Sequence, residues 1–334
     1  MRFRNLGKSG LRVSEICLGT MMFGGRTDAT AANAIIAHAR DHDVNFIDTA
    51  NAYTSGRSEE IIGGAIARDR ARWILATKLG NPTGTDPNSG GLSRRHVVEA
   101  CEDSLRRLKT DYVDCLSLHR EDHGTPLEET VLALGLLLQQ GKIRYFGISN
   151  FRSWRIAEVW NLSRQAGLQP PIVSQPYYNA FNRMPEVEHF AACRHYGIGV
   201  VPYSPLARGV LTAKYAPDAK PAADTRAGVN DARMQQTEWR PESLVLAQRI
   251  RAYCEGKGIT PVQFAIAWVL NCDVIAAAVA GPRTLEQWQE YLTALDVTLT
   301  DEDEKFVDSL VVPGHPSTPG YNDPAYPLEG RRPR

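Results

Sequence analysis

The sequence predicts an α/β protein folded as a (β/α)8 TIM barrel, and two observations lead to this prediction. Eight short apolar runs follow one another along the chain, and their continuous apolar character is typical of parallel strands buried on both faces. Helical patterns lie between several of these runs, and alternating strands and helices favour a barrel. The runs are Ile16–Leu18, Asn45–Ile47, Trp73–Thr77, Tyr112–Leu118, Tyr145–Ile148, Ile172–Gln175, Gly199–Tyr203 and Ile275–Val279.

The helical patterns have a 3.6-residue period and recognisable start signals. Apolar residues recur at helical spacing in residues 32–39, 97–108 and 127–138. Three threonines are predicted N-caps, and in the first two a proline occupies the first helical position. These are Thr125, Thr260 and Thr284. An open, doubly wound sheet is the structural rival, but no G-x-G-x-x-G motif follows the first apolar run, which removes the usual reason to prefer it.

Three stretches fall outside the alternating repeat. Phe3–Val13 predicts a β-hairpin ahead of the first barrel strand. Leu206–Arg240, the long loop after strand 7, is polar and interrupted by proline and glycine, as lids and disordered segments are. Residues 311–334 predict an extended C-terminal tail. Because no linker separates folding units, we expect a single domain over residues 1–334, with its core at about residues 1–310.

Composition limits the compartment and the class of partner. Lysine and arginine total 38, as do aspartate and glutamate, which argues against nucleic acid or an anionic membrane as the main partner. Six scattered cysteines without a C-x-x-C motif predict a reduced, cytoplasmic protein lacking disulfides and zinc. No apolar run is long enough to insert across a bilayer, and the N-terminus lacks a signal-peptide core. The neutral charge and the tail are compatible with a monomer or a homo-oligomer.

Four polar residues mark the candidate catalytic site: Asp48, Tyr53, Lys78 and His119. Three of them stand at the carboxyl ends of the second, third and fourth runs, and Tyr53 lies in the loop after the second. In a barrel these ends meet at one mouth, where active sites form. A neighbouring ammonium favours the phenolate form of a tyrosine, which suits proton donation to an oxygen that is becoming an alkoxide.

Each of these four residues has a more common structural role when considered alone. A strand-end aspartate or lysine is usually a cap or a solvated charge, and a lone histidine usually has a structural hydrogen bond. Their joint position on the right strands favours the catalytic interpretation. A metal-dependent hydrolase would need clustered histidine or aspartate ligands, and no H-x-H occurs at these strand ends, so we predict no metal.

Three motifs resemble the signatures of the aldo-keto reductase superfamily: Asn45–Tyr53, Ala76-Thr77-Lys78 and Leu118-His119. The resemblance extends over about residues 1–310, and the segment 119–130 with the long loop is similar to the potassium-channel β-subunit-like branch. It implies a barrel with an N-terminal hairpin and NADPH-dependent reduction of an aldehyde or ketone to an alcohol. It also implies that Tyr53 is the general acid and that Asp48 and Lys78 tune its pKa, while His119 orients the carbonyl.

The same resemblance implies an NADPH (NADP+) site. Ser149, Asn150 and Gln175 would hold the nicotinamide carboxamide, and Tyr203 would stack on its ring. Arg283, in a glycine-containing turn before a helix, can bind a 2′-phosphate, which favours NADPH over NADH. The expected cofactor contacts are Gly19, Thr20, Met21, Asp48, Ser149, Asn150, Gln175, Tyr203, Ser204, Pro205, Leu206, Arg208, Gly209, Lys214, Arg226, Gly281, Arg283, Gln287 and Glu290.

A second hypothesis stays open beside the reductase. A protein similar to channel β subunits would keep the fold and the cofactor but serve a partner protein, with little catalytic turnover. The intact set of Asp48, Tyr53, Lys78 and His119 argues against a purely regulatory role. The expected partner of the enzyme is a small-molecule carbonyl compound.

Overall fold

The computed structural model describes residues 1–327, which group into two compact units. Unit 1 contains Met1–Pro176, Glu188–Tyr203 and Asp273–Leu292, whereas unit 2 contains Tyr177–Val187, Ser204–Cys272 and the chain from Thr293 onward. The expectation of a single domain therefore stays a prediction. Residues 328–334 of the predicted tail lie outside the described residues.

Unit 1 contains the barrel. Within residues 1–327, eight parallel strands form one sheet in the order β10-β3-β4-β5-β6-β7-β8-β9. Parallel bridges from Val200 to Ile275 and from Tyr203 to Val279 join its two edges, which confirms the predicted (β/α)8 architecture. The strands are β1 Phe3–Asn5, β2 Arg12–Ser14, β3 Ile16–Gly19, β4 Phe46–Asp48, β5 Ile74–Leu79, β6 Val113–Leu118, β7 Ile143–Ser149, β8 Val173–Gln175, β9 Gly199–Val200 and β10 Ala278–Ala280.

Helices alternate with the strands, and α1, α3 and α4 coincide with the three predicted helical patterns. The short α7 was missed, because it lies inside the segment predicted as a long loop. The helices are α1 Ala29–Asp41, α2 Arg57–Ile66, α3 Arg94–Leu108, α4 Leu127–Gln139, α5 Ser153–Gln165, α6 His189–Tyr196, α7 Ala232–Thr237, α8 Pro241–Lys257, α9 Pro261–Leu270, α10 Leu285–Thr293 and α11 Asp301–Leu310.

The predicted helix caps are confirmed at two of three positions. The Thr260 hydroxyl accepts from the Gln263 backbone N–H at 3.1 Å, and the Gln263 side chain accepts from the Thr260 N–H, which forms a complete capping box. Thr284 accepts from the Gln287 N–H. The prediction for Thr125 is wrong, because its hydroxyl donates to the Asp122 carboxylate at 2.7 Å and α4 starts one residue later than expected.

The N-terminal hairpin closes the apolar interior of unit 1. Strands β1 and β2 pair antiparallel, as the sequence predicts. Leu6 and Val13 of this hairpin are fully buried and belong to the same apolar cluster as Cys17, Phe46 and other inward-facing barrel residues. The barrel interior is therefore a packed core, and polar chemistry is restricted to the carboxyl ends of the strands.

Unit 2 holds α7, α8, α9 and α11 together with the described part of the C-terminal tail. The described part of the tail consists mainly of turns and bends, not of the extended chain expected from the sequence, and polar contacts hold it in place. Ser317 donates its N–H to the Phe181 carbonyl at 2.9 Å, and Asp323 forms an ion pair with Arg233 at 2.6 Å. No helix within residues 1–327 combines the length and apolar character needed to cross a membrane.

The six cysteines are free thiols, and all except Cys272 are buried. Burial raises the pKa of four of them to about 12 and raises that of Cys17 well above its ordinary value. These five side chains act as small apolar groups that fill the core. The four with a pKa of about 12 are Cys101, Cys115, Cys193 and Cys254.

Replacing Leu6 by Ala should lower the free energy of unfolding by about 2–5 kcal/mol, because it leaves a cavity where the hairpin meets the core. Urea denaturation measures this loss. Leu132→Ala is the matched control, since Leu132 is 51% exposed and should change stability by less than about 0.5 kcal/mol. Equal losses in both variants would contradict the role assigned to the hairpin.

Candidate active site

Lys78 is the centre of the candidate site and is fully buried. Its ammonium donates to Asp48 Oδ2 at 2.5 Å, to the Thr49 carbonyl at 2.7 Å and to the Tyr53 hydroxyl at 3.2 Å. Burial alone lowers the pKa of a lysine, but the Asp48 carboxylate and Tyr53 outweigh it here, so the pKa of Lys78 is raised above its ordinary value. The structure therefore holds a charged ammonium against a phenol.

Asp48 is held on both of its carboxylate oxygens. It is 3% exposed, and while Oδ2 accepts from Lys78, Oδ1 accepts from the Gln175 side-chain amide at 3.0 Å. A buried carboxylate with two charged or polar donors is stabilised in one orientation. Gln175, which the sequence assigns to the cofactor, thus also contacts the catalytic set.

His119 lies beside Tyr53 at the same mouth. The two rings meet edge to face, with centroids 5.8 Å apart. Burial, together with the positive charges of Lys78 and Arg120, lowers the pKa of His119 to about 3, so the ring is neutral at physiological pH. Its buried Nδ1 has no hydrogen-bond partner within residues 1–327. The structure therefore brings together all four residues predicted from the strand ends.

A hydrogen-bonded chain continues from Asp48 along the ends of β7, β8 and β9. The Ser149 hydroxyl donates to the Gln175 carbonyl at 2.9 Å, and the Asn150 amide donates to Ser149 Oγ and to the His119 carbonyl, each at 3.0 Å. The Tyr203 hydroxyl donates to Asn150 Oδ1 at 2.9 Å. Four predicted cofactor residues therefore form one polar network next to the catalytic set.

The end of β3 contributes backbone and one exposed side chain. A β-carbon on Gly19 would lie 2.7 Å from Val279 Cγ1, so a larger residue there would require Val279 to shift. Thr20 is fully buried, and its hydroxyl donates to the Asp48 carbonyl at 2.9 Å. Met21 is 38% exposed and is the accessible residue of this segment. The structure thus gives Thr20 a structural contact and leaves Met21 available for a ligand.

The remaining predicted contacts in unit 1 lie in the turn before α10 and on that helix. The Gln287 side chain accepts from the Arg283 N–H at 2.8 Å, and the Arg283 carbonyl accepts from the Thr27 hydroxyl at 3.0 Å. These bonds fix the backbone of the turn that carries the guanidinium. Gly281 is exposed, whereas Gln287 and Glu290 are half-buried.

Seven predicted contacts belong to unit 2 and cluster after β9. Ser204, Arg208 and Gly209 have left-handed φ values of 60°, 50° and 101°, so the chain turns sharply there. Arg208 donates to the Thr237 hydroxyl at 3.3 Å, and Arg226 lies 3.9 Å from the Asp231 carboxylate. Two of the seven are buried, one is exposed and the others are half-buried. The seven are Ser204, Pro205, Leu206, Arg208, Gly209, Lys214 and Arg226.

Two residues that were not predicted from the sequence, Glu59 and Thr54, lie close to the four candidate catalytic residues along the chain and in contact with their neighbours. Glu59 is fully buried and bonds to Thr77 and Arg107, and Thr54 anchors the turn after Tyr53 to the Phe23 carbonyl. One signal for Glu59 is present in the sequence, because it shares the helical spacing of the buried α2 residues Ile62 and Ile66. A carboxylate on such a face needs a buried partner.

Residues 1–327 contain no group of three or more histidine, cysteine, aspartate or glutamate side chains that could hold a metal ion. The polar atoms at the strand ends instead combine one phenol, one ammonium, one carboxylate and one neutral imidazole. Such a set can move a proton to or from an oxygen and stabilise the charge that develops on it.

Comparison with known proteins agrees with this geometry. A model of the Aldo/keto reductase family matches residues 15–312. The chain is 38% identical over 304 residues to a "Probable voltage-gated potassium channel subunit beta" of Arabidopsis thaliana, covering 89% of this chain and 92% of that protein. It is also 38% identical over 319 residues to a protein with the same description from Oryza sativa subsp. japonica, covering 93% and 97%.

A third relative is described as an enzyme. The chain is 34% identical over 314 residues to the "Uncharacterized oxidoreductase YrpG" of Bacillus subtilis (strain 168), covering 90% of this chain and 93% of that protein. The matches define an oxidoreductase class with a barrel fold. The chain belongs to the aldo/keto reductase family, and that membership supports oxidation and reduction of carbonyl compounds.

The neutral state of His119 predicts a specific pH dependence of stability. An unfolded histidine takes up a proton near pH 6.5, whereas folded His119 resists it down to about pH 3. The free energy of unfolding should therefore fall as the pH drops below about 6.5, and His119→Gln should reduce that fall. Urea titrations of both proteins at pH 7 and pH 5 measure the difference. Identical pH dependence in both would contradict the lowered pKa.

Proposed function

We propose that the protein is an NADPH-dependent reductase that converts an aldehyde or ketone to an alcohol, with Tyr53 as the proton donor. The contact between the Lys78 ammonium and the Tyr53 hydroxyl, at 3.2 Å, is the observation that carries the proposal. An ammonium at this distance stabilises the phenolate left after proton transfer. Family membership supports the carbonyl chemistry.

Lys78 and Asp48 prepare Tyr53 for proton transfer. Because its pKa is raised, Lys78 keeps its positive charge throughout the pH range in which proteins are stable. Asp48 and the Thr49 carbonyl fix two of the three ammonium hydrogens, so the third points at the phenol. The Tyr53 hydroxyl then gives its proton to the carbonyl oxygen of the substrate as that oxygen becomes an alkoxide.

His119 orients the substrate oxygen as a neutral hydrogen-bond donor. A neutral imidazole carries one N–H, and the buried Nδ1 has no acceptor within residues 1–327. With its single hydrogen on Nε2, the His119 ring leaves no buried donor unpaired. This N–H can then donate to the substrate oxygen. A protonated ring would place a second cation near Lys78, which the lowered pKa of His119 avoids.

The side chains at the ends of β7 to β9 fit a nicotinamide group chemically. Ser149, Asn150 and Gln175 offer the hydroxyl and amide groups that a carboxamide needs, and Tyr203 offers an aromatic face. Reduced nicotinamide, when bound, supplies the hydride. Arg283 is the proposed partner of the 2′-phosphate, because a guanidinium binds phosphate through paired hydrogen bonds.

Regulation of a partner protein is the second candidate function. Two relatives that match nearly the whole chain are described as probable potassium channel β subunits, and this similarity is its support. In that case NADPH would bind and be oxidised slowly or not at all. Fluorescence titration with NADPH, followed by absorbance decay with 4-nitrobenzaldehyde or methylglyoxal, separates the two functions.

Tyr53→Phe should lower kcat by about 10²–10⁴-fold while leaving the Kd for NADPH unchanged, because only the donated proton is lost. Steady-state kinetics and fluorescence titration measure the two quantities. Tyr326→Phe is a control, since Tyr326 lies in the C-terminal tail far along the chain from the catalytic set. A Tyr53→Phe variant with wild-type kcat would refute the proposed proton donor.

Arg283→Ala should weaken NADPH binding by about 10–100-fold, since a hydrogen bond between charged groups contributes about 1.5–3 kcal/mol. NADH lacks the 2′-phosphate and is the internal control, so its Kd should change by less than about threefold. Equal weakening for both nucleotides would indicate that Arg283 supports the fold of its turn and does not select the phosphate.

A further inference from the structure

The turn that carries Tyr53 is strained. Thr54, Ser55 and Gly56 have left-handed φ values of 46°, 54° and 89°, and the first two are not glycine. Non-glycine residues in this region are strained, and they persist only where the surrounding structure imposes them. We call Tyr53–Gly56 the Tyr53 turn. Its shape must be imposed by contacts from outside the segment.

Apolar packing does not supply those contacts on the outer side of the turn. Ser55 borders a polar cavity of about 490 Å³, which is also lined by Asn51, His96 and Arg107. An open space of this size gives no close-packed support. Directional polar contacts must therefore hold the Tyr53 turn on this side.

An ion pair between a buried carboxylate and a half-buried guanidinium supplies one of these contacts. Glu59 on α2 is fully buried, and its carboxylate accepts from Arg107 Nε at 2.7 Å and from the Thr77 hydroxyl at 2.5 Å. A buried pair of charges contributes little net stability compared with apolar residues of the same volume. The presence of this ion pair therefore favours a role in fixing how α2, α3 and β5 are arranged relative to one another.

Those elements carry or adjoin Tyr53, the proposed proton donor, and Lys78, whose ammonium stabilises the phenolate that Tyr53 leaves. Thr77 directly precedes Lys78 on β5, and Glu59 lies three residues after the Tyr53 turn. Arg107 closes over the end of the turn, since a β-carbon on Gly56 would lie only 2.8 Å from Arg107 Cδ. The ion pair thus ties the strand of Lys78 to the turn of Tyr53.

A second anchor acts on the other side of the turn. The Thr54 hydroxyl donates to the Phe23 carbonyl at 2.7 Å, which connects the turn to the loop after β3. Lys78 is held independently by Asp48 and the Thr49 carbonyl. Loss of either anchor would therefore move the phenol away from an ammonium that stays in place.

We propose that Glu59 and Arg107, together with Thr54, are positioning residues that clamp the strained Tyr53 turn and hold the phenol within reach of the Lys78 ammonium. The proposal rests on the proposed function of Tyr53 as the proton donor. It concerns the geometry of the donor and assigns none of the three residues a contact with substrate or cofactor.

The test compares two double variants, each of which replaces both members of an ion pair whose carboxylate is buried. Glu59→Gln/Arg107→Met removes the clamp without leaving an unpaired buried charge. Arg70→Met/Asp114→Asn is the matched control, because Asp114 binds Arg70 at 2.7 Å and the Leu75 N–H at 2.9 Å on the same strand β5. Arg70 precedes β5 and Asp114 lies on β6, so this pair contacts β5 at Leu75, three residues before Lys78.

The clamp variant should lose about 10–100-fold in kcat, as expected for a catalytic group displaced by about 1 Å. Its Kd for NADPH and its KM for 4-nitrobenzaldehyde should change by less than about threefold. The pH at which kcat begins to fall on the alkaline side should shift. The control variant should lose comparable thermal stability but keep kcat within about twofold. Unchanged kcat in the clamp variant, or equal losses in both, would overturn the proposal.

Single substitutions decide the question where a double variant fails to fold. Thr54→Val removes the hydroxyl donor and should lower kcat by about tenfold or more, whereas Thr54→Ser keeps the donor and should retain it. Glu59→Gln has one carbonyl oxygen for two donors and should lower kcat in the same way. Full activity in Thr54→Val and Glu59→Gln would overturn the clamp. Full activity in Tyr53→Phe would instead refute the proposed function on which the clamp rests.

Discussion

The fully buried ammonium of Lys78 is the constraint on which the site depends. A lysine without water must find acceptors for its three hydrogens, and here a carboxylate, a backbone carbonyl and a phenol provide them. Asp48 in turn needs Gln175 for its second oxygen.

The parallel register of the barrel makes this arrangement possible. Asp48 pairs with Ala76, two residues before Lys78, and Gly19 pairs with Asp48 on the other side. Side chains two residues apart on a strand share a face, so Ala76 and Lys78 both point inward. The apolar inward-facing residues fill the barrel interior. Lys78 occupies the last inward-facing position of β5, so its ammonium lies at the carboxyl ends of the strands.

The barrel and the proximity of Asp48, Tyr53, Lys78 and His119 were predictable, because strand-end positions follow from apolar runs and their order. The catalytic roles of these four residues stay predictions. The proposed clamp was not predicted. Helical spacing places Glu59 on the buried face of α2, but its contacts with Thr77 and Arg107 on other elements are set by tertiary packing. Thr125 was misassigned because a nearby carboxylate competes for its hydroxyl, a contact set by tertiary structure. The roles of the residues after β9 remain predictions, because loop conformation depends on contacts that periodicity does not encode.

The distribution of thiols has a practical consequence for spectroscopy. Thiol reagents attack the thiolate, and five of the six cysteines are buried with pKa values that suppress it. Cys272, immediately after the turn that ends α9, is the half-buried exception. A maleimide dye added to the folded protein at neutral pH will therefore attach mainly at one natural position. Energy transfer from the intrinsic tryptophans to this dye can then be followed without engineering a cysteine.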